Sequence, residues 1–388
     1  MVFDILGAGA LALTLPGSAY LGLLTAAAAM PCRPRATPGL DRPAAPARIV
    51  ILVPAHDEST GLLRTLDSLR REVEADPYAR TVVVADNCSD DTAAVARSAG
   101  VQVLERHDAD RRGKGHALQY GFDACPDADW FIVIDADTDV APGFLAAMRR
   151  GMANGADALQ CRYGVRDPLA SRRATLADVA LAGWNVLRPR GRAALGLSAG
   201  ILGNGFALPR RTLQAVPYSA RSIVEDVEYH HLLVQAGLRV RWVDDTEVRG
   251  DMPSGDAAKQ QRARWEGGRL RLIADRAPTL LGRVLRGQWR LADPLLDLTL
   301  LPLSWHVTLL LAALVLGAGM APALAAAGLA VVALHVALAL RLIHARRAHV
   351  RGLLGVPAYL AWKLCLAGAT WRAADRRAAW VRSTRTPS

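Results

Sequence analysis

The chain has 388 residues, 52% of them apolar, and a formal net charge of +11 from 44 arginines, three lysines and 36 acidic residues. That length holds one large domain or two ordinary ones with a sizeable core, and the charge admits nucleic acid or an anionic membrane surface as a partner. No basic stripe interleaves with stacking aromatics, which argues against nucleic acid, and five scattered cysteines (Cys32, Cys88, Cys125, Cys161, Cys365) without a C-x-x-C pair argue against a disulfide framework or a thiolate zinc site.

Residues 1–30 read as a transmembrane helix, because Ile5 to Met30 is a run of 26 residues without a charge, long enough for a hydrocarbon core of ~30 Å. The start Met1-Val2-Phe3-Asp4 lacks the basic region of a cleaved signal peptide. A Pro/Arg-rich linker comes next over 31–47, and Arg33, Arg35, Arg42 and Arg48 place the segment after the helix on the cytoplasmic side.

From 48 to 275 short β-branched runs alternate with helical stretches. Ile49–Val53, Thr81–Val84, Val101–Leu104 and Trp130–Ile134 read as strands. Helices are expected from a Ser59 cap to about Arg71, from about Asp91 to Ala99, and near Lys114 to Ala124. This alternation predicts an α/β fold, a mostly parallel sheet with helices on both faces, whose ligands bind beyond the carboxyl ends of the strands. Acidic clusters stand at three of those ends: Pro54-Ala55-His56-Asp57-Glu58, Asp86-Asn87-Cys88-Ser89-Asp90-Asp91, and Asp135-Ala136-Asp137. Such residues are also ordinary turn and cap formers, but three like-charged clusters at one sheet edge call for a cation. Two carboxylates at i and i+2 suit Mg²⁺ or Mn²⁺. Gly113-Lys114-Gly115-His116 opens a helix on the same edge and could receive a phosphate.

Further on come Gly203-Asn204-Gly205, then Glu225-Asp226 at a helix start, and Gln261-Arg262-Ala263-Arg264-Trp265. Acids in a first turn also complement the helix dipole. His230 and His231 read as solvated helix residues rather than metal ligands. Residues 276–294 form a basic interfacial region, in which Arg276, Arg283, Arg286 and Arg290 gather on one helical face. A transmembrane hairpin over 295–343 is expected from Leu298 to Gly319 and Ala321 to Ile343, closed by Arg341, Arg346, Arg347 and Arg351. In 344–388, Leu353 to Ala369 contains Lys363 and precedes a basic, tryptophan-bearing tail, which suits an interfacial amphipathic helix. The alternative is a third span whose lysine faces a partner helix.

Taken in order, these motifs resemble the inverting, membrane-bound family-two glycosyltransferases, a group that includes polysaccharide synthases of the cellulose, chitin and hyaluronan type. The resemblance covers about Arg48 to Arg269 and implies an A-type glycosyltransferase fold using a nucleotide-diphosphate sugar, with uridine the expected base. It implies that Pro54, Glu58, Asp86, Lys114 and Asp135 bind the donor and that Asp135 and Asp137 hold the metal. Asp226 is then the general base, and Glu225, Gln261, Arg264, Trp265, Gly203 and Asn204 serve the acceptor and diphosphate. Asp137-Thr138-Asp139 leaves a second register open for the metal pair. About three spans are few for a product channel, so a membrane-held lipid or glycan acceptor is expected, with other polysaccharide-synthesis membrane proteins as candidate partners; a processive synthase working with partner subunits is the alternative. The resulting location is the inner (cytoplasmic) membrane, multi-pass, with the catalytic domain cytoplasmic. A nucleotidyltransferase lacks the tryptophan motif and carries a glycine-rich basic loop where this chain has Ala55-His56-Asp57-Glu58. A non-catalytic accessory protein would tolerate loss of Asp135, Asp137 and Asp226, all of which are present.

Overall fold

The computed structural model describes residues 2–30, 46–220, 222, 224–252, 255–365 and 368. Described residues of 46–167 and 198–252 form one compact unit, and those of 2–30, 168–197 and 255–365 form another.

The first unit is an eight-stranded sheet between helices. Its strands are β1 (Ile49–Ala55), β2 (Ala79–Asp86), β3 (Gln102–Arg106), β4 (Trp130–Val133), β5 (Thr138–Val140), β6 (Ala158–Val165), β7 (Phe206–Pro209) and β8 (Val240–Gly250). They lie in the order β3-β2-β1-β4-β7-β6-β8-β5. Strands β1 to β4 are parallel where they pair, whereas β7 runs antiparallel to β4 and β6, and β5 antiparallel to β8. The sheet is therefore mixed beyond β4. Side chains alternate along β1: Ile49, Ile51 and Val53 enter one core, Val50 and Leu52 the other, which is why a run with no polar residue was needed there. The Leu62–Glu74 helix covers the first face with Leu62, Thr65, Leu66 and Leu69, a stripe at helical spacing. Gly61 and not Ser59 is its N-cap, and the Ser59 N–H bonds Asp90 Oδ2 at 3.1 Å. The Thr92–Ser98 and Lys114–Ala124 helices fall where the pattern puts them. Between β1 and β4 the winding direction reverses, which opens a crevice at their carboxyl ends.

The second unit is helical. Segment 168–197 belongs to it, so the sheet unit is not one run over 48–275. The physical reason is charge: buried Arg188 and Arg192 find their acidic partners, Asp293 and Asp297, only beyond residue 290. Arg188 also stacks 3.8 Å above the Trp184 ring, with Arg269 at 4.4 Å from it, and a π-helical turn over Ala182–Leu187 presents that tryptophan. The Val2–Ala28 helix runs through Pro16 unbroken. At Gly7 it crosses Gly317 so closely that a Cβ would lie 2.5 Å from the Gly317 Cα. Ser18 bonds His306 at 3.0 Å, Thr25 bonds His335 at 2.8 Å, and the Tyr20 hydroxyl donates to Asp293 at 2.6 Å.

Phe3–Ala28 and Ala321–Leu342 are long and apolar enough to cross a membrane. The expected first arm of the hairpin is broken: Trp289–Thr299 and Leu303–Leu316 meet at 80°. Pro302 explains the break, since the residue before a proline is driven out of helical geometry and the helix stops at Thr299. The basic stretch is likewise not one helix. Gly255–Leu285 ends just before Gly287, whose φ is 90°, and Arg290 lies in a separate 3₁₀ turn. Leu281, Leu285 and Trp289 are exposed beside Arg286 and Arg290. Lys363 does not face water as an interfacial helix would have it; it is buried and ion-paired with Glu266 on the Gly255–Leu285 helix. The Val356–Cys365 helix reaches the end of the continuously described residues, and the tryptophan-bearing tail lies outside them.

Candidate functional site

Three strand ends converge at the crevice. Pro54 closes β1, and Glu58 comes after it with its N–H given to Thr92 Oγ1 at 2.7 Å. Asp86 is the last residue of β2, and Asp135 stands two residues past β4. Asp86 is nearly buried, which an isolated carboxylate could not sustain; Arg106 from the end of β3 answers it at 2.6 Å and also reaches Asp108 at 3.1 Å. Sequence pattern alone does not reveal Arg106, because an arginine at a strand end has no signature until the register sets β3 beside β2. Asn87 and Asp57 take left-handed conformations, with φ of 53° and 52°, so the two loops turn sharply and bridge each other. Asp57 accepts from the Ser89 N–H at 2.6 Å. Burial opposes ionisation of Asp90, but hydrogen bonds from Thr92 and Ser59 bring it down to about 2. Asp57, Cys88 and Asp90 are close enough to hold an ion, yet the two carboxylates are taken up by this loop bracing.

At the centre is Lys114. Its ammonium contacts Asp135 Oδ1 and the Gly203 carbonyl. Burial works against its charge, but the carboxylates of Asp135, Glu225 and Asp226 more than offset this and raise its pKa. Glu225 and Asp226 open the Glu225–Gln235 helix. Burial and the Asp226 charge push Glu225 up to about 8, and burial raises Asp226 as well, although the Val227 N–H, 2.9 Å from Oδ1, opposes this. Gly203 has φ 78°, and a Cβ there would stand 3.1 Å from Asp226 Oδ2, so only glycine leaves that oxygen clear.

The ammonium is a stand-in that tests the site for a cation. Hard oxygens from Asp135, Glu225, Asp226 and a carbonyl already surround a positive charge, which is the donor chemistry that Mg²⁺ or Mn²⁺ requires. Asp139, which belongs to the alternative register, has arginine partners. Asp139 is held by Arg64 at 3.1 Å and Arg166 at 2.9 Å, and Arg166 further donates to the Asp137 carbonyl at 2.7 Å. Asp139 Oδ2 is thus committed to bracing the turn.

Other expected residues stand differently. Asn204 is fully buried; its Oδ1 accepts from the Asp135 N–H at 3.2 Å and its Nδ2 donates to Thr138 Oγ1 at 2.8 Å. Its side chain therefore braces the Asp135 loop from below and cannot form an acceptor wall. His230 and His231 are buried rather than solvated, with His230 Nε2 at 2.8 Å from Ser198. Gln261, Arg264 and Trp265 lie on the Gly255–Leu285 helix of the helical unit, with Trp265 exposed, while Arg269, further along, is buried against Trp184.

The chain is similar to solved structures of other proteins. The mannosyltransferase PcManGT from Pyrobaculum calidifontis, solved in complex with GDP-Man and Mn²⁺, is 18% identical, matches with a TM-score of 0.55, and covers 93% of this chain and 99% of its own. Mannosyl-3-phosphoglycerate synthase from Rubrobacter xylanophilus is 20% identical over 61% of this chain and 75% of its own, with a TM-score of 0.46. Glucosyl-3-phosphoglycerate synthase from Mycobacterium tuberculosis is 24% identical over 60% and 84%, with a TM-score of 0.40. Among curated protein sequences none matches significantly. The profile of glycosyl transferase family group 2 matches residues 130–344, from β4 through the last long apolar helix. That match spans more than half of the chain, and the chain belongs to this family: it is a glycosyltransferase.

Proposed function

We propose that the chain moves a sugar from a nucleotide-diphosphate donor, with UDP the expected carrier, to a lipid or polysaccharide acceptor held at the cytoplasmic face of the inner membrane, with inversion. The observation that carries this is the meeting of Asp135, Lys114, Glu225 and Asp226 at one point beyond β4. Asp135 and Asp137 would hold a divalent cation, which supplies charge stabilisation to the departing diphosphate. Pro54, Glu58 and Asp86 line the nucleotide, and Lys114 meets the diphosphate charge. Arg106 fixes the Asp86 carboxylate for a base N–H. Asp226 Oδ2, kept clear by Gly203, takes the acceptor's hydroxyl proton as that oxygen bonds to the anomeric carbon and the bond to the diphosphate oxygen breaks. Glu225, pushed up to about 8, favours its protonated form near neutrality. Gln261, Arg264 and Trp265 are proposed to serve the acceptor and diphosphate. GDP-Man and Mn²⁺ in the Pyrobaculum mannosyltransferase are consistent with this chemistry.

Among the described residues, two to three helices are long and apolar enough to span, which favours single transfer over channel-forming polymerisation. Membranes containing the protein, incubated with a panel of radiolabelled UDP- and GDP-sugars and extracted into lipid and polymer fractions, test the proposal. Label should enter the lipid or polymer fraction only with a divalent metal. No transfer from any donor, or equal transfer in chelator, overturns it.

A further inference from the structure

Lys114 is not where a residue reserved for a diphosphate would rest. Its ammonium lies on Asp135, one of the two proposed metal ligands, and on the Gly203 carbonyl, with the carboxyl groups of Glu225 and Asp226 the next acidic groups acting on it. We propose that Lys114 is a built-in competitor for the metal: in the donor-free enzyme its ammonium takes the cation's place on Asp135, and the donor's diphosphate draws it off, so that metal is held tightly only together with donor. This rests on the metal reading of Asp135 and Asp137.

Three features support it. An ammonium and a divalent cation seek the same hard oxygens, and as like charges they cannot share one carboxylate without strong repulsion. Asp135 contacts the ammonium directly, and Asp226 Oδ2 lies beside Gly203, whose carbonyl also contacts it, so when the ammonium leaves, negative charge is left for a divalent ion to offset. Lys114 is also free to change place. It is the first residue of its helix, its side chain is 25% exposed, and Gly113 before it has φ 116° with open space where a Cβ would be. A flexible four-carbon stem there can turn its charge toward a phosphate at the helix N-terminus.

The competing view, in which Lys114 only binds phosphate, predicts weaker nucleotide binding in variants and no change in binding of metal alone. Competition predicts opposite signs. In the detergent-solubilised full chain, Lys114→Met and Lys114→Gln should bind Mn²⁺ alone about tenfold more tightly than wild type, or better. The same variants should bind UDP or GDP more weakly in saturating Mn²⁺. Lys114→Arg keeps a cation at this position and should keep the weak, wild-type affinity for Mn²⁺ alone. Calorimetry and Mn²⁺ electron paramagnetic resonance read these affinities without turnover, and melting temperatures identify any variant that does not fold. Unchanged or weaker Mn²⁺ binding in folded Lys114→Met or Lys114→Gln overturns the competition. The underlying metal reading fails by a separate result: wild type that binds both nucleotides equally well in Mn²⁺ and in chelator.

Discussion

Asp226→Asn removes a proton acceptor while keeping nearly the same shape beside Gly203. Donor binding should persist and transfer fall by about 10²–10⁴-fold, the range for a positioned general base; near-normal turnover would move the role to Glu225. Glu225 offers a pH test. Its folded pKa is about 8, far above an unfolded carboxyl near ~4.3. Folding therefore favours the protonated form, so a penalty on stability is absent below the unfolded value, grows as pH rises, and is complete above the folded one. Glu225→Gln escapes it, and in chelator its melting temperature should gain on wild type between pH 5 and pH 9. A difference independent of pH would contradict the burial of that carboxyl. Asp135, Asp137 and the Glu225-Asp226 pair were legible in the sequence because each directly follows a strand or opens a helix. Arg106 and Asn204 were not. Their work depends on partners 20 and 69 residues away, which pattern along one strand does not carry.

The turn from β4 into β5 holds acids of two kinds. Asp137→Ala should abolish metal-dependent nucleotide binding with the fold intact. Asp139→Asn should keep metal dependence but lower stability by about 1–3 kcal/mol, because it loosens charge-assisted bonds from Arg64 and Arg166. Loss of metal dependence in Asp139→Asn would show that the other register is used. β1, β2 and β4 were readable as apolar runs rich in valine and isoleucine, since strands buried on both faces tolerate little else, whereas β3 (Gln102–Arg106) is only partly buried. The antiparallel β7 and short β5 carried no such run. The broken helix pair around Pro302 was missed because hydropathy averages over a window and does not register one residue pushed out of helical geometry.

For the molecule as a whole, the two apolar helices and the exposed group of Leu281, Leu285, Trp289, Arg286 and Arg290 make the case for a lipid surface. Such basic residues contribute about 1 kcal/mol each near anionic headgroups. Replacing Arg276, Arg283, Arg286 and Arg290 by glutamine should remove a rate preference for anionic over neutral vesicles and leave donor affinity unchanged. The same lipid dependence in both proteins would rule that contact out. Apolar ends around a polar middle were visible from composition, but the assignment of 168–197 to the helical unit was not, because nothing local marks Arg188 and Arg192 as buried. One contact has a consequence for biogenesis. Tyr20 donates its hydroxyl to Asp293, 273 residues later in the chain. During synthesis the early helix has to wait with that hydroxyl, Ser18 and Thr25 without their native partners, while the chain that forms the sheet is made. The helical unit is completed last, so a ribosome stalled before residue 293 leaves a sheet unit whose chain is complete joined to an unfinished helical unit, the part that a quality-control protease would meet first.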